Sequence, residues 1–318
     1  MKFSSLFLAA SVCALLAFEP ARACAGAGLT GAPILNRPIG ARSSGMGRAF
    51  TAIPGEPESV MYNPAGPGFA PGGEVYLAYM NGFGGGSYGL AAVPLKFGNF
   101  VLTPAFLYYN SGAMNLRLSD GTRGAVTAEL DKVGMLSAAY TPSRDLAVGF
   151  TLKVTSIDLA EAASASVKHY DLGALYRITD GLSAGAAALN NGESVKFERE
   201  GAPAPSTLRA GLAYKVELNP PNLLDKSADI SYSDIVLTSD WSRTVKESGY
   251  YQAGFELNMK MPGAALLMSL RAGYLFERPE ENMTFGFGIR KGPWNFGFGY
   301  EASKDLDARL PVSLSCEF

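Results

Sequence analysis

From Glu74 to the C-terminus, large apolar residues recur at every second position. Leu146, Val148, Phe150, Leu152 and Val154 alternate with Ala147, Gly149, Thr151, Lys153 and Thr155. Leu208, Ala210, Leu212, Tyr214 and Val216 do the same against Arg209, Gly211, Ala213, Lys215 and Glu217. Near the end, Met283, Phe285, Phe287 and Ile289 alternate with Thr284, Gly286 and Gly288, then Trp294, Phe296, Phe298 and Tyr300 with Asn295, Gly297 and Gly299. A strand points successive side chains to opposite faces, so each segment has one continuous apolar face and one small or polar face. A water-soluble sheet has no use for aromatic residues on one face and glycine on the other. A strand that meets lipid outside and a lumen inside does. In hydrocarbon every unpaired edge amide and carbonyl costs several kcal/mol, so such a sheet must close on itself. The expected fold is all-β, a transmembrane antiparallel barrel.

Turn-rich breaks divide the region at 82–86, 98–99, 119–123, 142–145, 161–164, 179–181, 190–205, 219–226, 243–248, 261–263, 278–281, 291–293 and 303–307. They predict about 14 strands, an even number as single-chain bacterial barrels have. The shortest junctions, at Gly98-Asn99, Pro142–Asp145, Thr179–Gly181 and Gly292-Pro293, suit periplasmic turns. The longer breaks at 190–205 and 219–226 are read as extracellular loops. The last segment places Leu310, Val312, Leu314, Cys316 and Phe318 on one face and Pro311, Ser313, Ser315 and Glu317 on the other. A final amphipathic strand ending in Phe resembles the signal read by barrel assembly machinery, with Phe318 as the residue recognised.

The N-terminus differs. Residues 1–25 carry Lys2, an apolar run from Phe3 to Phe18 and the ending Ala21-Arg22-Ala23-Cys24-Ala25, the layout of a secretory signal cleaved after Ala23 or Ala25. Arg22 argues against a lipoprotein anchor at Cys24. Three cysteines, Cys13, Cys24 and Cys316, make neither a disulfide framework nor a zinc site. Between the signal and the first strand, Gly40 to Gly66 reads GARSSGMGRAFTAIPGEPESVMYNPAG, without strand alternation and too rich in Gly and Ala to form a core alone. A short helix or tight turns are expected over 41–52, a turn at 54–58 and one more helical turn over 59–63, stopped by Pro64. The expected division is 1–25 signal, 26–72 N-terminal hatch or plug in the lumen, and 73–318 barrel.

A net charge of −2 with scattered Lys and Arg gives no footprint for nucleic acid. His169, the only histidine, lies near Ser164, Ser166 and Asp171. A triad needs base and nucleophile in hydrogen-bond reach, and no GxSxG elbow is present, so no catalytic residue is assigned and no enzyme is expected. Asp225, Asp229, Asp234 and Asp240 lack the spacing of a calcium loop and are read as solvating strands beyond the bilayer; no metal or other cofactor is expected. Tyr76, Tyr79, Tyr108, Tyr109, Tyr232, Trp241, Tyr250, Tyr251, Trp294 and Tyr300 are read as interfacial girdles. Arg42 and Arg48, on a buried plug, are expected to pair with carboxylates of the lumen.

Gly40-Ala41-Arg42, Gly45-Met46-Gly47, Ala49-Phe50, Ala52 and Tyr62-Asn63-Pro64-Ala65-Gly66 resemble the N-terminal motif of the PorV/PorQ family, within the superfamily of FadL-type outer-membrane channels. Glu56 and Glu58 stand where the family carries aspartates, and Pro67 where it carries Leu. The resemblance implies a monomeric fourteen-stranded barrel in the bacterial outer membrane, among outer-membrane lipid, with its N-terminal segment folded into the lumen. It implies two different jobs. One is binding or transport of a small hydrophobic ligand that leaves sideways through the wall. The other is docking of an exported protein or a secretion barrel in a type IX-like system. Arg42, Met46, Arg48, Phe50, Tyr62, Asn63 and Pro64 are the residues expected to line a ligand pocket or to act as the hatch.

Overall fold

The structure is a computed structural model that describes residues 30–318 apart from 38, 118–120, 122, 161, 198–200, 219–231, 262–264, 279–280 and 305–306. The export signal over 1–25, with Cys13 and Cys24, lies outside the described residues, as do Asp225, Asp229 and the break at 219–226.

Fourteen antiparallel strands, each hydrogen-bonded to its neighbour in sequence, form one sheet. They are β1 (Glu74–Asn81), β2 (Ser87–Ala92, continued after Val93-Pro94 by Leu95–Phe97), β3 (Phe100–Asn110), β4 (Glu129–Tyr140), β5 (Leu146–Leu159), β6 (Ala163–Arg177) and β7 (Leu182–Gly192). The second half is β8 (Thr207–Glu217), β9 (Tyr232–Thr244), β10 (Tyr250–Met261), β11 (Leu266–Leu275), β12 (Met283–Lys291), β13 (Trp294–Glu301) and β14 (Val312–Glu317). The sheet closes where β1 meets β14, from Glu74 opposite Glu317 to Tyr79 opposite Val312. At the seam the Phe318 amide donates to the Gly73 carbonyl at 2.6 Å. Each break read from the sequence among the described residues coincides with a junction between successive barrel strands, those at 161–164, 190–205, 243–248, 261–263 and 291–293 overlapping a strand end. Between β3 and β4 stands a short hairpin, Ala113–Arg117 with Arg123–Thr127, and most of the break read at 119–123 lies outside the described residues.

The two faces are those the alternation predicts. Val148, Phe150, Leu152, Phe285, Phe296 and Leu314 point out and are exposed, whereas Ala147, Thr151, Lys153, Thr284 and Ser315 point in and are buried. The outer belt is apolar and the sheet has no free edge, the only form in which strands can cross hydrocarbon.

Three readings change. Strand direction puts the short turns and the break between Glu217 and Tyr232 at one end of the barrel, with the chain's C-terminus. The described strand ends that flank the break read at 219–226, Glu217 and Tyr232, are thus at the end of the short turns and not at the opposite, loop end, so length alone is no guide to side. Tyr76, Tyr109 and Tyr250 face the lumen, since they share parity with Ala78, Leu107 and Gln252, so they are not girdle residues. Asp234 and Asp240 are buried lumen groups, not solvated strand extensions.

Residues 30–73 lie inside the barrel. They form a 3-10 turn at Pro33–Asn36, one short helix, α1 (Ala41–Gly45), and 3-10 turns at Pro57–Met61 and Gly66–Phe69. Inward glycines let this hatch lie directly on the wall. They come in cross-strand pairs, Gly149 with Gly173, Gly185 with Gly211, Gly254 with Gly273 and Gly286 with Gly299. A Cβ on Gly149 would overlap the backbone of Pro64, and one on Gly273 the backbone of Gly47.

Gly149→Val is expected to cost about 1 to 3 kcal/mol by overpacking and to raise protease sensitivity near Pro64. Gly134, whose Cβ would meet open space, serves as the control. Gly134→Ala should change thermal stability by less than about 0.5 kcal/mol. Equal effects at the two positions would sink the close-approach account.

Candidate functional site

The hatch makes several polar contacts with the wall, most of them matched by a wall side chain. Arg42, on α1, makes a two-pronged bond to Glu256 of β10, Nε to Oε2 at 2.8 Å and Nη2 to Oε1 at 2.7 Å. Its Nη1 lies 2.5 Å from Glu56 within the hatch. Arg271 of β11 donates to the same Glu256 at 2.6 Å. Arg48 pairs with Glu301 of β13 at 2.6 Å and with Glu281, in the β11–β12 loop, at 3.2 Å. Arg309 joins both of these carboxylates, which links two loop-end connections to the hatch.

The third contact uses backbone. Asp240 Oδ2 of β9 accepts from the Phe50 and Thr51 amides, both at 2.9 Å, and from the Thr51 hydroxyl at 2.6 Å. Arg209 of β8 donates to Asp240 at 3.0 Å, to the Thr51 hydroxyl at 2.9 Å and to the Arg48 carbonyl at 2.8 Å. Its guanidinium lies 5.1 Å from the centre of the Tyr62 ring. Phe50 and Tyr62 pack with ring centres 5.4 Å apart. Met46 is fully buried, its backbone against Gly254.

Asn63-Pro64-Ala65-Gly66 closes the hatch. The Asn63 amide donates to the Thr51 carbonyl at 2.9 Å and to the Ala174 carbonyl of β6 at 3.0 Å, while its oxygen accepts the Ala65 amide. Pro64 lies over Gly149 and Gly173. All seven residues singled out in the sequence are therefore in the hatch, brought together against one wall level. Sequence reading missed their partners Asp240, Glu256, Glu301, Arg209 and Arg271. Parity places these charges on the lumen face, but pairing across some 160 to 250 residues has no sequence signal.

Glu58 is the hatch's own buried carboxyl. It accepts from the Ser43 amide at 3.1 Å, the Ser43 hydroxyl at 3.2 Å and the Tyr76 hydroxyl of β1 at 2.7 Å. Burial pushes it up to about 7, opposed by the Tyr76 bond, with Glu56 raising it further and Arg42 and Arg271 lowering it. Burial also holds the Tyr62 hydroxyl above its ordinary value.

A second lysine–carboxylate pair stands apart from the hatch arginines. Lys153 of β5 is buried 2.8 Å from Asp171 of β6 and donates to Asn190 at 2.6 Å. Asn190 sits at a bulge in β7, where pairing with β6 shifts between Ala188 and Asn191, and its amide reaches the Leu35 carbonyl at 3.3 Å. His169 shares the lumen face and lies 3.0 Å from the Glu193 carbonyl, whereas Ser164 and Ser166 fall on the opposite face. Apolar side chains fill much of the rest of the lumen: Met80, Leu90, Leu107, Val133 and Met135 from the wall join Ile34, Leu35 and Phe50 from the hatch. On the outer wall, Ala138, Ala174, Ala186 and Ala188 floor an apolar depression of about 770 Å³ rimmed by Tyr140, Phe150, Leu172 and Leu208.

No protein-family profile matches the chain, and no curated protein does. Solved structures do match in fold. The Pseudomonas putida toluene transporter TodX is similar at 11% identity and TM-score 0.54, over 87% of this chain and 96% of that one. The monoaromatic hydrocarbon channel CymD is similar at 12% identity and TM-score 0.57, over 88% and 97%. A Pseudomonas aeruginosa FadL homologue is similar at 11% identity and TM-score 0.50, over 87% and 98%. The chain thus has the fold of FadL-like barrels, closed and fourteen-stranded.

Asp240→Ala leaves Arg209 buried without its carboxylate and frees two hatch amides, so it should cost about 3 to 5 kcal/mol. Pulse proteolysis of the hatch would read this as cleavage within 49–52. With the Glu58 pKa raised from 4.5 to about 7, the docked hatch holds a proton that the released hatch loses, so docking is strongest in acid. It should weaken by about 3 kcal/mol as pH rises through that window. Glu58→Gln should flatten the pH dependence of hatch protection; an unchanged slope would show that Glu58 does not set it.

Proposed function

We propose that this protein is a non-enzymatic outer-membrane barrel that binds small hydrophobic molecules and passes them across the outer membrane, with residues 30–73 as the gate. The observation that carries this reading is the apolar lumen. A water-filled pore is lined by polar groups, whereas here Met80, Leu90, Leu107, Val133 and Met135 face Ile34, Leu35 and Phe50. The likeness in fold to a toluene transporter and a monoaromatic hydrocarbon channel supports it. So does the outer depression, which lies where the wall is thinnest: alanines outside, Gly149 and Gly173 inside, Pro64 directly behind.

In this reading Asn63 and Pro64 cover the wall, Arg42 and Arg48 hold the hatch in register, and Met46, Phe50 and Tyr62 give it an apolar body that a hydrocarbon could displace. The ion pairs set the cost of releasing the whole hatch. Burial makes removal of one partner expensive, but a hatch that keeps its arginines paired while Asn63 lets go of Ala174 needs to break only the Asn63 bond.

The resemblance of residues 40–66 to the PorV/PorQ motif supports an alternative, a protein-binding component of a type IX-like secretion system. On its side stands the hairpin Ala113–Arg117 with Arg123–Thr127, which carries exposed Met114 beyond the barrel.

Uptake of toluene and of arabinose by cells expressing the protein separates the two. Expression should speed toluene entry several-fold and leave arabinose entry unchanged, and Ala186→Trp, which fills the outer depression, should lower the toluene rate without changing barrel stability. Unchanged toluene entry together with exported proteins crosslinked to the hairpin would replace transport by the secretion reading.

A further inference from the structure

The loop end of the lumen carries two carboxylates that the hatch does not use. Asp131 of β4 is fully buried on the lumen face, and neither of its oxygens accepts a hydrogen bond from a described residue. Glu129, two residues earlier on the same face, is the other. The arginines of this end, Arg37, Arg48 and Arg309, are engaged elsewhere, by Glu281 and Glu301. Asp158, the remaining acid nearby, lies opposite Leu130 and so on the outer face. The two carboxyls interact with each other, with no cation from the described residues beside them, which is costly for the buried Asp131.

Their surroundings define what would satisfy them. Tyr109 stands directly across from Asp131 on β3 and Ile157 directly across on β5. Tyr109 stacks on Tyr88 with ring centres 4.4 Å apart, and Leu107 and Val133 complete an apolar wall around them. A hydrated divalent ion wants six or more oxygens and finds two carboxyls amid hydrocarbon. An organic ammonium with an apolar body suits every part: its charge meets Asp131 and Glu129, its N–H groups donate to the open carboxylate oxygens, and its body lies on the tyrosine faces, which attract cations. We infer that Asp131, with Glu129 and the Tyr88–Tyr109 pair, forms a lumen site selecting hydrophobic amines over neutral molecules of the same shape. The inference rests on the transport reading and narrows its cargo.

The test compares 2-phenylethylamine with 2-phenylethanol, equal in size and different in charge, by calorimetry on the full-length purified barrel at neutral pH. The amine should bind about tenfold or more tightly than the alcohol. Asp131→Asn should bring the amine down to the alcohol's affinity and leave the alcohol unchanged, with Glu129→Gln giving a smaller loss in the same direction. Since the Asn variant removes a buried, unmatched charge, it should fold and melt at or above the parent temperature, so lost binding cannot be read as lost structure. If the alcohol binds and the amine binds no tighter, or if Asp131→Asn changes nothing, the carboxyl is merely a buried protonated acid and this inference falls while transport stands. If neither molecule binds, the transport reading falls and this one with it.

Discussion

Three wall carboxylates, Asp240, Glu256 and Glu301, point into the lumen, and each is shared between one arginine of the barrel (Arg209, Arg271 or Arg309) and the hatch. Each is essentially buried. A carboxylate so placed must have donors, and beside those barrel arginines one short stretch of the hatch supplies the rest: Arg42, Arg48 and the amides of Phe50 and Thr51. Hatch and wall are therefore mutually dependent. Without the hatch these buried acids would keep only part of their donors; without the barrel a segment this rich in Gly and Ala has no reason to adopt one shape.

Close approach is the other half of the arrangement. Hatch amides reach the Asp240 carboxylate at 2.9 Å and the Thr284 hydroxyl at 3.0 Å, and the Asn63 side chain reaches the Ala174 carbonyl at 3.0 Å, distances that require neighbouring wall positions to carry no side chain. The paired inward glycines meet that need. The same thinning is visible from outside, where alanines take the place of large lipid-facing residues and leave the apolar depression. A wall thin enough to dock the hatch is also the wall with the least material between lumen and lipid, which joins the packing of the hatch to the proposed route for cargo.

The lumen divides into two chemistries. The side occupied by α1 and the turns after it is ionic and self-compensated, with arginines and carboxylates shared in chains. The side lined by β1–β6 at the loop end is mostly apolar, and Asp131 is the buried carboxyl on it that no described side chain or backbone group bonds. Neutral hydrocarbon and ionic latch thus lie side by side, so a ligand can enter the apolar half without first breaking the ion pairs.

The barrel was legible in the sequence because lipid imposes a rule on every strand. Residues such as Val148, Phe150 and Leu152 must face out whatever their neighbours are, so local alternation alone yields strand positions, number and faces. The hatch motif was legible as an irregular segment, and the need of Arg42 and Arg48 for acceptors followed from burial. Which acceptors could not follow. Glu256 and Glu301 lie more than two hundred residues from their arginines, Asp240 reads like any strand aspartate, and Tyr76 reads like any girdle tyrosine until closure of β1 on β14 turns it toward Glu58. The end of the barrel at which Glu217 and Tyr232 lie likewise depends on counting complete strands around a closed sheet. Period and polarity act between residues two apart and are written in the chain; register around the barrel and the meeting of hatch with wall act across its whole length, and only the closed tertiary structure decides them.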